Sequence, residues 1–373
     1  MISRIPYFSV IVPAYNGARV LPLSLAALCA SDLPRDCWEL IVVDDASSDD
    51  SSAVAARFAD TVVRLPGRPK GPAYARNRGV EAARGECIVF VDADVCVHSD
   101  ALRRFARVFA TEPDVAAVFG AYDTRPAARS LVSEYRNLLH HYVHVQCEGD
   151  AETFWAGCGA IRRDAFMDAG MYNEWHYSTP QIEDIELGHR LRERGYRIVL
   201  RSKIQGTHLK RWLLRDLILT DLRSRGVPWM RLLIQRGAVK STETLNLRAR
   251  EKLSTALVGL ALVLLALALM PPRRHWLALA AYALVPVLYL NLPLFVFFAR
   301  QRGLLFALGT VPLRLLFYVV SGAAVPLGYF LHETIGEPRP EPEVEALAEV
   351  GQRSWPPSPA RPIDERRRPA SAS

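Results

Sequence analysis

The chain has no Cys-x-x-Cys pair, no zinc-finger spacing, no interleaved RNA-binding signature and no glycine-rich phosphate loop after its first apolar run. Its six cysteines stand at 29, 37, 87, 96, 147 and 158, several of them inside apolar runs. That spacing excludes a thioredoxin-like redox motif and a cysteine zinc site, and it fits reduced thiols in a cytosolic compartment. The missing phosphate loop argues against nucleotidyl transfer. Residues 1–6 lead straight into a strand-like run, so no cleaved leader is expected. Acidic residues are scarce in one place. Residues 201–252 hold 13 Lys/Arg against 4 Asp/Glu, a local excess larger than the net charge of +7 for the whole chain. Next to apolar spans, such a strip meets anionic lipid headgroups more often than nucleic acid.

What is present divides in two. Apolar residues concentrate after residue 252, so a soluble part precedes a membrane part. In the soluble part, residues 7–13, 38–43, 61–65, 88–91 and 115–120 read as strands, and 196–200 as a later one. Residues 19–31, 51–59, 72–83 and 100–110 read as helices; Ser47, Ser48, Asp49 and Asp50 offer N-caps, and Gly85 offers a stop. The alternation predicts a mostly parallel α/β sheet. Ligands of such sheets bind at the carboxyl ends of strands. Polar clusters sit at three of these ends: Ala14-Tyr15-Asn16, Asp44-Asp45 and Asp92-Ala93-Asp94. The third is the sharpest. Ile88-Val-Phe-Val91 runs directly into two carboxylates one residue apart, and unpaired buried carboxylates are heavily penalised. A cation is expected there.

Six stretches stand out: Val10-Ile-Val-Pro-Ala-Tyr-Asn16, Ile41-Val-Val-Asp-Asp-Ala-Ser-Ser-Asp49, Gly71-Pro-Ala-Tyr-Ala-Arg-Asn-Arg-Gly79, Gly85-Glu-Cys-Ile-Val-Phe-Val-Asp-Ala-Asp94, Gly157-Cys-Gly-Ala-Ile-Arg-Arg163 and Ile182-Glu-Asp-Ile-Glu-Leu-Gly188. Together, and in this order, they resemble the family 2 glycosyltransferases of GT-A fold. The resemblance implies a nucleotide-diphosphate sugar donor, a divalent cation (Mg²⁺ or Mn²⁺) and inverting transfer to a lipid or membrane-proximal glycan. It places Pro13, Ala14, Tyr15 and Asn16 around the nucleoside, and Asp45 on the base, usually uracil. Gly71 and Arg76 fall towards the diphosphate, with Lys70 beside them. Asp92 and Ala93 fall towards the ribose or the metal shell, and Asp94 on the cation. His208 would complete the metal shell or touch phosphate. Asp184 would be the general base. Gly157, Cys158, Glu183 and Trp212 would line the acceptor side.

The residue types suit that chemistry. Mg²⁺ takes one or two carboxylates plus substrate phosphates, and an attacking hydroxyl needs a base. Glu183, Asp184 and Glu186 also read simply as an acidic first helical turn, and Glu186 with Arg190 as an i,i+4 pair. Cys158 has no base paired with it, so a nucleophile role is not expected. His140, His141 and His144 lack the glutamate of His-Glu-x-x-His and are expected to pack or face solvent. Processive polysaccharide synthases resemble this chain but carry Gln-x-x-Arg-Trp. Here His208 precedes Arg211-Trp212 in the glutamine's place, which favours single transfer. A non-catalytic scaffold is opposed by the presence of Asp45, Asp92, Asp94 and Asp184.

The expected organisation is a GT-A domain over 1–210, a basic amphipathic interfacial segment over 211–252, about three transmembrane helices over 253–331 and a disordered tail over 332–373. The first span, 253–270, is about 27 Å long as a helix, enough for one hydrocarbon core. Residues 277–299 and 304–331 supply the others. Arg314 is expected to mark an interfacial boundary, because an intramembrane arginine is expensive. The basic strip, with Arg300 and Arg302, puts residues 1–252 in the cytoplasm of a multi-pass plasma-membrane protein, and Arg273-Arg274 oppose this.

Overall fold

The computed structural model describes residues 7–237 and 249–336. The expected disordered tail therefore lies outside the described residues except for 332–336, as does part of the basic segment. The α/β part runs β1 (Phe8–Ala14), α1 (Leu21–Cys29), β2 (Trp38–Asp44), α2 (Ser51–Ala55), β3 (Thr61–Arg64), α3 (Pro72–Ala82), β4 (Cys87–Val91), β5 (Val95–Val97), α4 (Ala101–Thr111) and β6 (Val115–Tyr122). Then come α5 (Leu131–Gln146), β7 (Gly149–Ala151), β8 (Cys158–Arg162), α6 (Arg163–Asp168), α7 (Glu183–Glu193) and β9 (Arg197–His208). The helical part is α8 (Leu214–Leu219), a π-helical turn (Thr220–Gly226), α9 (Val227–Gln235), α10 (Ala249–Leu267), α11 (Arg273–Leu290), α12 (Leu292–Arg302) and α13 (Leu304–Ile335).

One nine-stranded sheet has the order β3-β2-β1-β4-β8-β6-β9-β5, with β7 on β9. It is mixed rather than mostly parallel. β3, β2, β1 and β4 are parallel, but β8 runs antiparallel to both β4 and β6. Periodicity reports which faces are buried and carries no strand direction, so the sequence could not show this. β9 is also longer than the expected strand over 196–200. It continues through Arg201, Ser202 and Lys203 to His208, pairing with β6 across register shifts and then with β5.

The strands of the parallel half read as unbroken apolar runs because both faces are covered. Val10, Val12, Leu40, Val42, Val89 and Val91 join the core under α1 and α4. Ile11, Ile41, Val43, Ile88 and Phe90 join the core under α3, α6 and α7. Phe90 meets the rings of Phe154, Phe166 and Tyr172 at centroid distances of 6.5, 5.5 and 5.3 Å. Truncating such a residue to alanine costs about 3–5 kcal/mol. Sealing the cores leaves the strand carboxyl ends as the polar edge.

α5 joins the two halves of the chain. Tyr135, Leu138 and Tyr142 on it pack with Leu217 of α8, Leu294 and Phe298 of α12 and Leu313 of α13. The three expected spans map onto α10, a broken α11–α12 pair and α13. α11 and α12 meet at Asn291 with a bend of 63°. Among the described residues, α13 alone is long and apolar enough to cross a membrane by itself, and the bent pair qualifies as a second. The start of α13 is tied to the α/β part and its end to α9. Just before it, Arg302 donates to the Glu134 carboxylate at 2.7 Å and to the Thr124 carbonyl at 2.6 Å. Just after it, the Gly336 carbonyl accepts from Arg231.

Arg314 departs from the expected boundary role. It is 5% exposed on α13. Its guanidinium donates to Glu251 of α10 at 2.5 Å and to Asn291 at 2.8 Å. The Tyr318 hydroxyl lies 2.9 Å from each of the same two oxygens and shares its proton between them. Three helices thus share one satisfied polar knot, the arrangement that makes a buried charge tolerable.

Candidate active site

The carboxyl ends of β1 and β2 are laced together before any ligand is considered. The Asn16 side-chain oxygen accepts from the Ser48 amide at 2.9 Å, and the Gly17 amide donates to Ser51 Oγ at 2.7 Å. Asn16 sits at φ 48°, a left-handed position that asparagine tolerates better than most residues. Beside it Tyr15 is 54% exposed although it follows a buried strand. An exposed ring on a rigid strand end offers a stacking face. Pro13 and Ala14 lie within or at the end of β1 itself.

Asp45 has a defined job. Its carboxylate, 4% exposed, accepts from the backbone amides of Lys70 and Gly71 at 2.8–3.1 Å. It therefore fixes the loop that opens α3. Gly71 is at φ +95°, and a Cβ there would fall 2.4 Å from the Ser178 carbonyl oxygen. Only glycine fits between this loop and the segment that leads into α7. The Lys70 ammonium stays on the surface, over the Tyr74 ring at 4.4 Å.

Arg76 ties α3 to the acids. It is 4% exposed and donates to Asp92 at 2.8 Å and to Glu183 at 2.9 Å. Burial pushes its pKa down, but Asp92, Tyr172, Glu183 and Asp184 outweigh burial and raise it. Asp92 thus has a cation partner, and it is the protein's own guanidinium. Burial raises the Asp92 carboxyl pKa despite Arg76. Glu183, expected on the acceptor side, is instead 5% exposed and held by Arg76 and by the Gln181 amide at 2.9 Å.

Asp184 follows in the first turn of α7 and is less enclosed than Glu183. One oxygen accepts from the Ala156 amide at 3.2 Å. Burial, and then the Glu183 charge, push its pKa up to about 7. A carboxylate poised near neutrality, with one oxygen anchored, is what a general base needs.

Asp94 and His208 form the other half. β5 pairs antiparallel with the end of β9, so Val95 lies opposite His208. The His208 imidazole comes within 3.5 Å of the Asp94 carboxylate. Burial pushes the Asp94 carboxyl up, but the His208 hydrogen bond, the His208 charge and the Lys210 ammonium outweigh it and hold it low. Among the described residues no group of three or more such side chains forms a complete metal cage. One carboxylate with one imidazole is a two-ligand half-shell. That donor set fits Mg²⁺ or Mn²⁺ completed by phosphate oxygens and water.

Two aromatic residues stand beside these: Tyr122, which sequence reasoning had not singled out, and Trp155, which falls in the 154–159 stretch expected on the acceptor side. Tyr122, at the end of β6, stacks on His208 with centroids 4.3 Å apart and an angle of 13°. Trp155 meets Tyr122 edge-on at 4.9 Å and packs on His140 and His144. Tyr122 ends a strand on the same carboxyl edge, which is the one signal that pointed to it. The histidine group on α5 is packing, as expected. His144 Nδ1–H donates to the Gly120 carbonyl, 2.9 Å away, and burial lowers its pKa to about 4.

Two acceptor-side expectations do not hold for side chains. Cys158 is completely buried in the core, and burial pushes its thiol pKa up to about 12. It presents neither nucleophile nor contact; only the backbone of Gly157, whose carbonyl accepts from the Asp92 amide at 3.3 Å, borders the acids. Trp212 is 5% exposed, its amide donating to Ser133 Oγ at 2.8 Å and its ring lying under Lys210. It packs the basic segment onto α5 and shows no face to a ligand.

Parts of this chain are similar to known proteins. Residues 9–170 match the family model described as glycosyl transferase family 2. Glycosyltransferase AglE of Haloferax volcanii is 32% identical over 108 residues, 28% of this chain and 36% of that protein. Succinoglycan biosynthesis protein ExoO of Rhizobium meliloti is 38% identical over 105 residues, 28% of this chain and 30% of that protein. The chain thus spans about a third of the length of these curated relatives. Among solved structures, a mannosyltransferase from Pyrobaculum calidifontis in complex with GDP-Man and Mn²⁺ is 22% identical, with a TM-score of 0.49 over 76% of this chain and 86% of that one.

Proposed function

The chain carries a glycosyl transferase family 2 domain over residues 9–170, and on that premise we propose that it is an inverting, cation-assisted glycosyltransferase acting at a membrane surface. The observation that carries the reading is the convergence on one sheet edge of two separate carboxylate systems. Asp94 with His208 stands on one side, and Asp184 with Glu183, Arg76 and Asp92 on the other.

The nucleoside of the donor lies against Tyr15 and Asn16, over the loop that Asp45 holds at Lys70 and Gly71. Asp94 and His208 would hold a divalent cation, which supplies Lewis-acid stabilisation of the departing diphosphate. Arg76 holds Asp92 and Glu183 in place by ion pairs, and its charge offsets part of the rise that burial and Glu183 give the Asp184 pKa. Asp184 takes the proton from the acceptor hydroxyl. That oxygen forms its bond to the anomeric carbon as the bond from that carbon to the diphosphate oxygen breaks, and the electron pair leaves with the nucleoside diphosphate. Attack opposite the leaving group inverts the anomeric centre.

The acceptor in this reading is a lipid or a membrane-proximal glycan. The support is the helical part: α10–α13 turn Leu260, Val263, Tyr282, Tyr289, Leu305 and Phe330 outwards, a surface that needs an apolar environment. α13 is about 48 Å long as a helix, yet its start is tied to the α/β part and its end to α9, whose Leu232 joins the core under α3, α6 and α7. A helix crossing a hydrocarbon core of about 30 Å would carry one end far from that domain. We therefore place α12 and α13 along the bilayer surface and let the α10–α11 hairpin enter it, with the α/β part cytoplasmic.

The test is a screen of nucleotide sugars for donor hydrolysis and transfer with Mg²⁺ or Mn²⁺, comparing the full chain with Asp94→Asn. Turnover of one donor that depends on cation and on Asp94 is expected. No turnover of any donor overturns the reading.

A further inference from the structure

A cavity of about 140 Å³ lies where the loop leading into α7, the π turn with α9, and the end of α13 come together. Its wall includes His176, Gln181, Arg223, Arg231, Gln235 and His332, and none of its ten lining residues is acidic. Four of these six side chains are cationic or become so on protonation, and the other two are amide donors. The concentration is local. Several arginines near this segment are neutralised, Arg136 by Asp221 at 2.9 Å, Arg190 by Glu186 at 2.7 Å and Arg236 by Glu193, whereas Arg225 of the same π turn makes no ion pair with a described residue and does not line the cavity. Arg223 makes no ion pair with any described residue, and Arg231 spends one nitrogen on the Gly336 carbonyl. Arg223 also sits in a π-helical turn, a rare winding that is often retained at functional sites.

The position of the cavity gives it a use. The Gln181 backbone amide donates to Glu183, the residue before Asp184, while its side-chain amide donates to Thr179. On the opposite side of the same loop, Gly71 presses on the Ser178 carbonyl. One short loop therefore separates the donor-side turn from the cavity and carries Asp184 at its end. His332 stands three residues before the end of α13, at the level assigned above to the bilayer surface.

We infer that this cavity binds a phosphate-type oxyanion, and that it does so to hold the acceptor or the bilayer beside Asp184. Guanidinium groups match phosphate oxygens with paired, charge-assisted hydrogen bonds, and nothing acidic in the wall competes. The inference rests on the glycosyltransferase reading for its purpose but not for its chemistry. The same oxyanion has two sources, a phosphate on the acceptor itself or a phospholipid headgroup.

The experiment uses the full chain in neutral detergent with farnesyl phosphate as probe and farnesol as its uncharged counterpart, and separately phosphatidylcholine vesicles with and without phosphatidylglycerol. Arg223→Gln and, independently, His332→Gln are compared with Arg215→Gln, an exposed arginine outside the cavity. The first two are expected to weaken farnesyl phosphate binding about tenfold, the scale of one charge-assisted contact, with farnesol unaffected and Arg215→Gln like the parent. The same loss confined to phosphatidylglycerol vesicles assigns the cavity to the headgroup. Equal binding of both probes by all variants overturns the inference. Because binding is read without turnover, a chain that hydrolyses no nucleotide sugar but shows these losses refutes the transferase reading alone.

Discussion

Asp184 supports a prediction in which activity and stability move in opposite directions. Its pKa is pushed up to about 7 from an ordinary 3.8 by burial and by Glu183. Only the ionised form can accept a proton, so transfer rises with pH through about 7. Between pH 6 and 8 the ionised fraction goes from about a tenth to about nine-tenths, a rise of roughly tenfold in the acid limb. The linkage sign follows from the raised value. Between 3.8 and 7 the folded chain holds a proton that the unfolded chain has lost, so stability falls as pH rises through this window. Three units at 1.36 kcal/mol each give an upper limit of about 4 kcal/mol, which partial solvent exposure reduces to about 1–3 kcal/mol. Asp184→Asn removes both effects. Transfer should fall about 10²–10⁴-fold, while donor binding persists. Thermal unfolding at pH 8 should shift upwards by several degrees, and the gain should vanish near pH 4. A coupled assay of nucleoside diphosphate release, paired with unfolding scans at the two pH values, reads both. A variant that keeps full turnover, or that is less stable than the parent at pH 8, refutes the reasoning.

Four further outcomes follow from the same geometry. Asp94→Asn and His208→Ala should each make donor binding insensitive to chelation, whereas the parent chain should lose about tenfold or more in affinity when the cation is removed; calorimetric titration with and without chelator reads this. Gly71→Ala forces a Cβ to within 2.4 Å of Ser178 at φ +95°, so unfolding should show a loss of about 1–3 kcal/mol, with weaker donor binding. Arg314→Gln leaves the Glu251 carboxylate with only Arg250 and the Tyr318 hydroxyl and should cost about 1–3 kcal/mol, part of which Glu251→Gln should restore in the double variant. Thiol labelling of sealed vesicles should find Gly303→Cys and Gly336→Cys reactive from one side and Pro271→Cys from the other, and reaction of 303 and 336 from opposite sides would return α13 to a spanning role.

The strands of the parallel half were legible because burial on both faces wrote itself into β1, β2 and β4 as continuous apolar runs. The antiparallel half was not, since β8 has the same composition whichever way it runs. β9 was cut short at Leu200 because Arg201 and Lys203 look like loop residues, although Arg201 is paired with Glu112 at 2.6 Å. Among site residues, strand-end position pointed to Asp45, Asp92 and Asp94. It did not point to their partners: Arg76 and Glu183 are 107 residues apart, and no local pattern encodes a contact at that separation. The burial of Cys158 and Trp212 was hidden for a related reason. Exposure is decided by what other elements lay over a residue, here the rest of the sheet core and α5.

The knot at Arg314 has a bearing on how the chain is made. Glu251 is synthesised 63 residues ahead of the guanidinium that neutralises it. At roughly 5–20 residues per second, that is an interval of about 3–13 s. During that time the Glu251 carboxylate has its neighbour Arg250, 3.1 Å away, but not the Arg314 and Tyr318 contacts that enclose it. The polar contacts of the hairpin are complete only once α13 has been made.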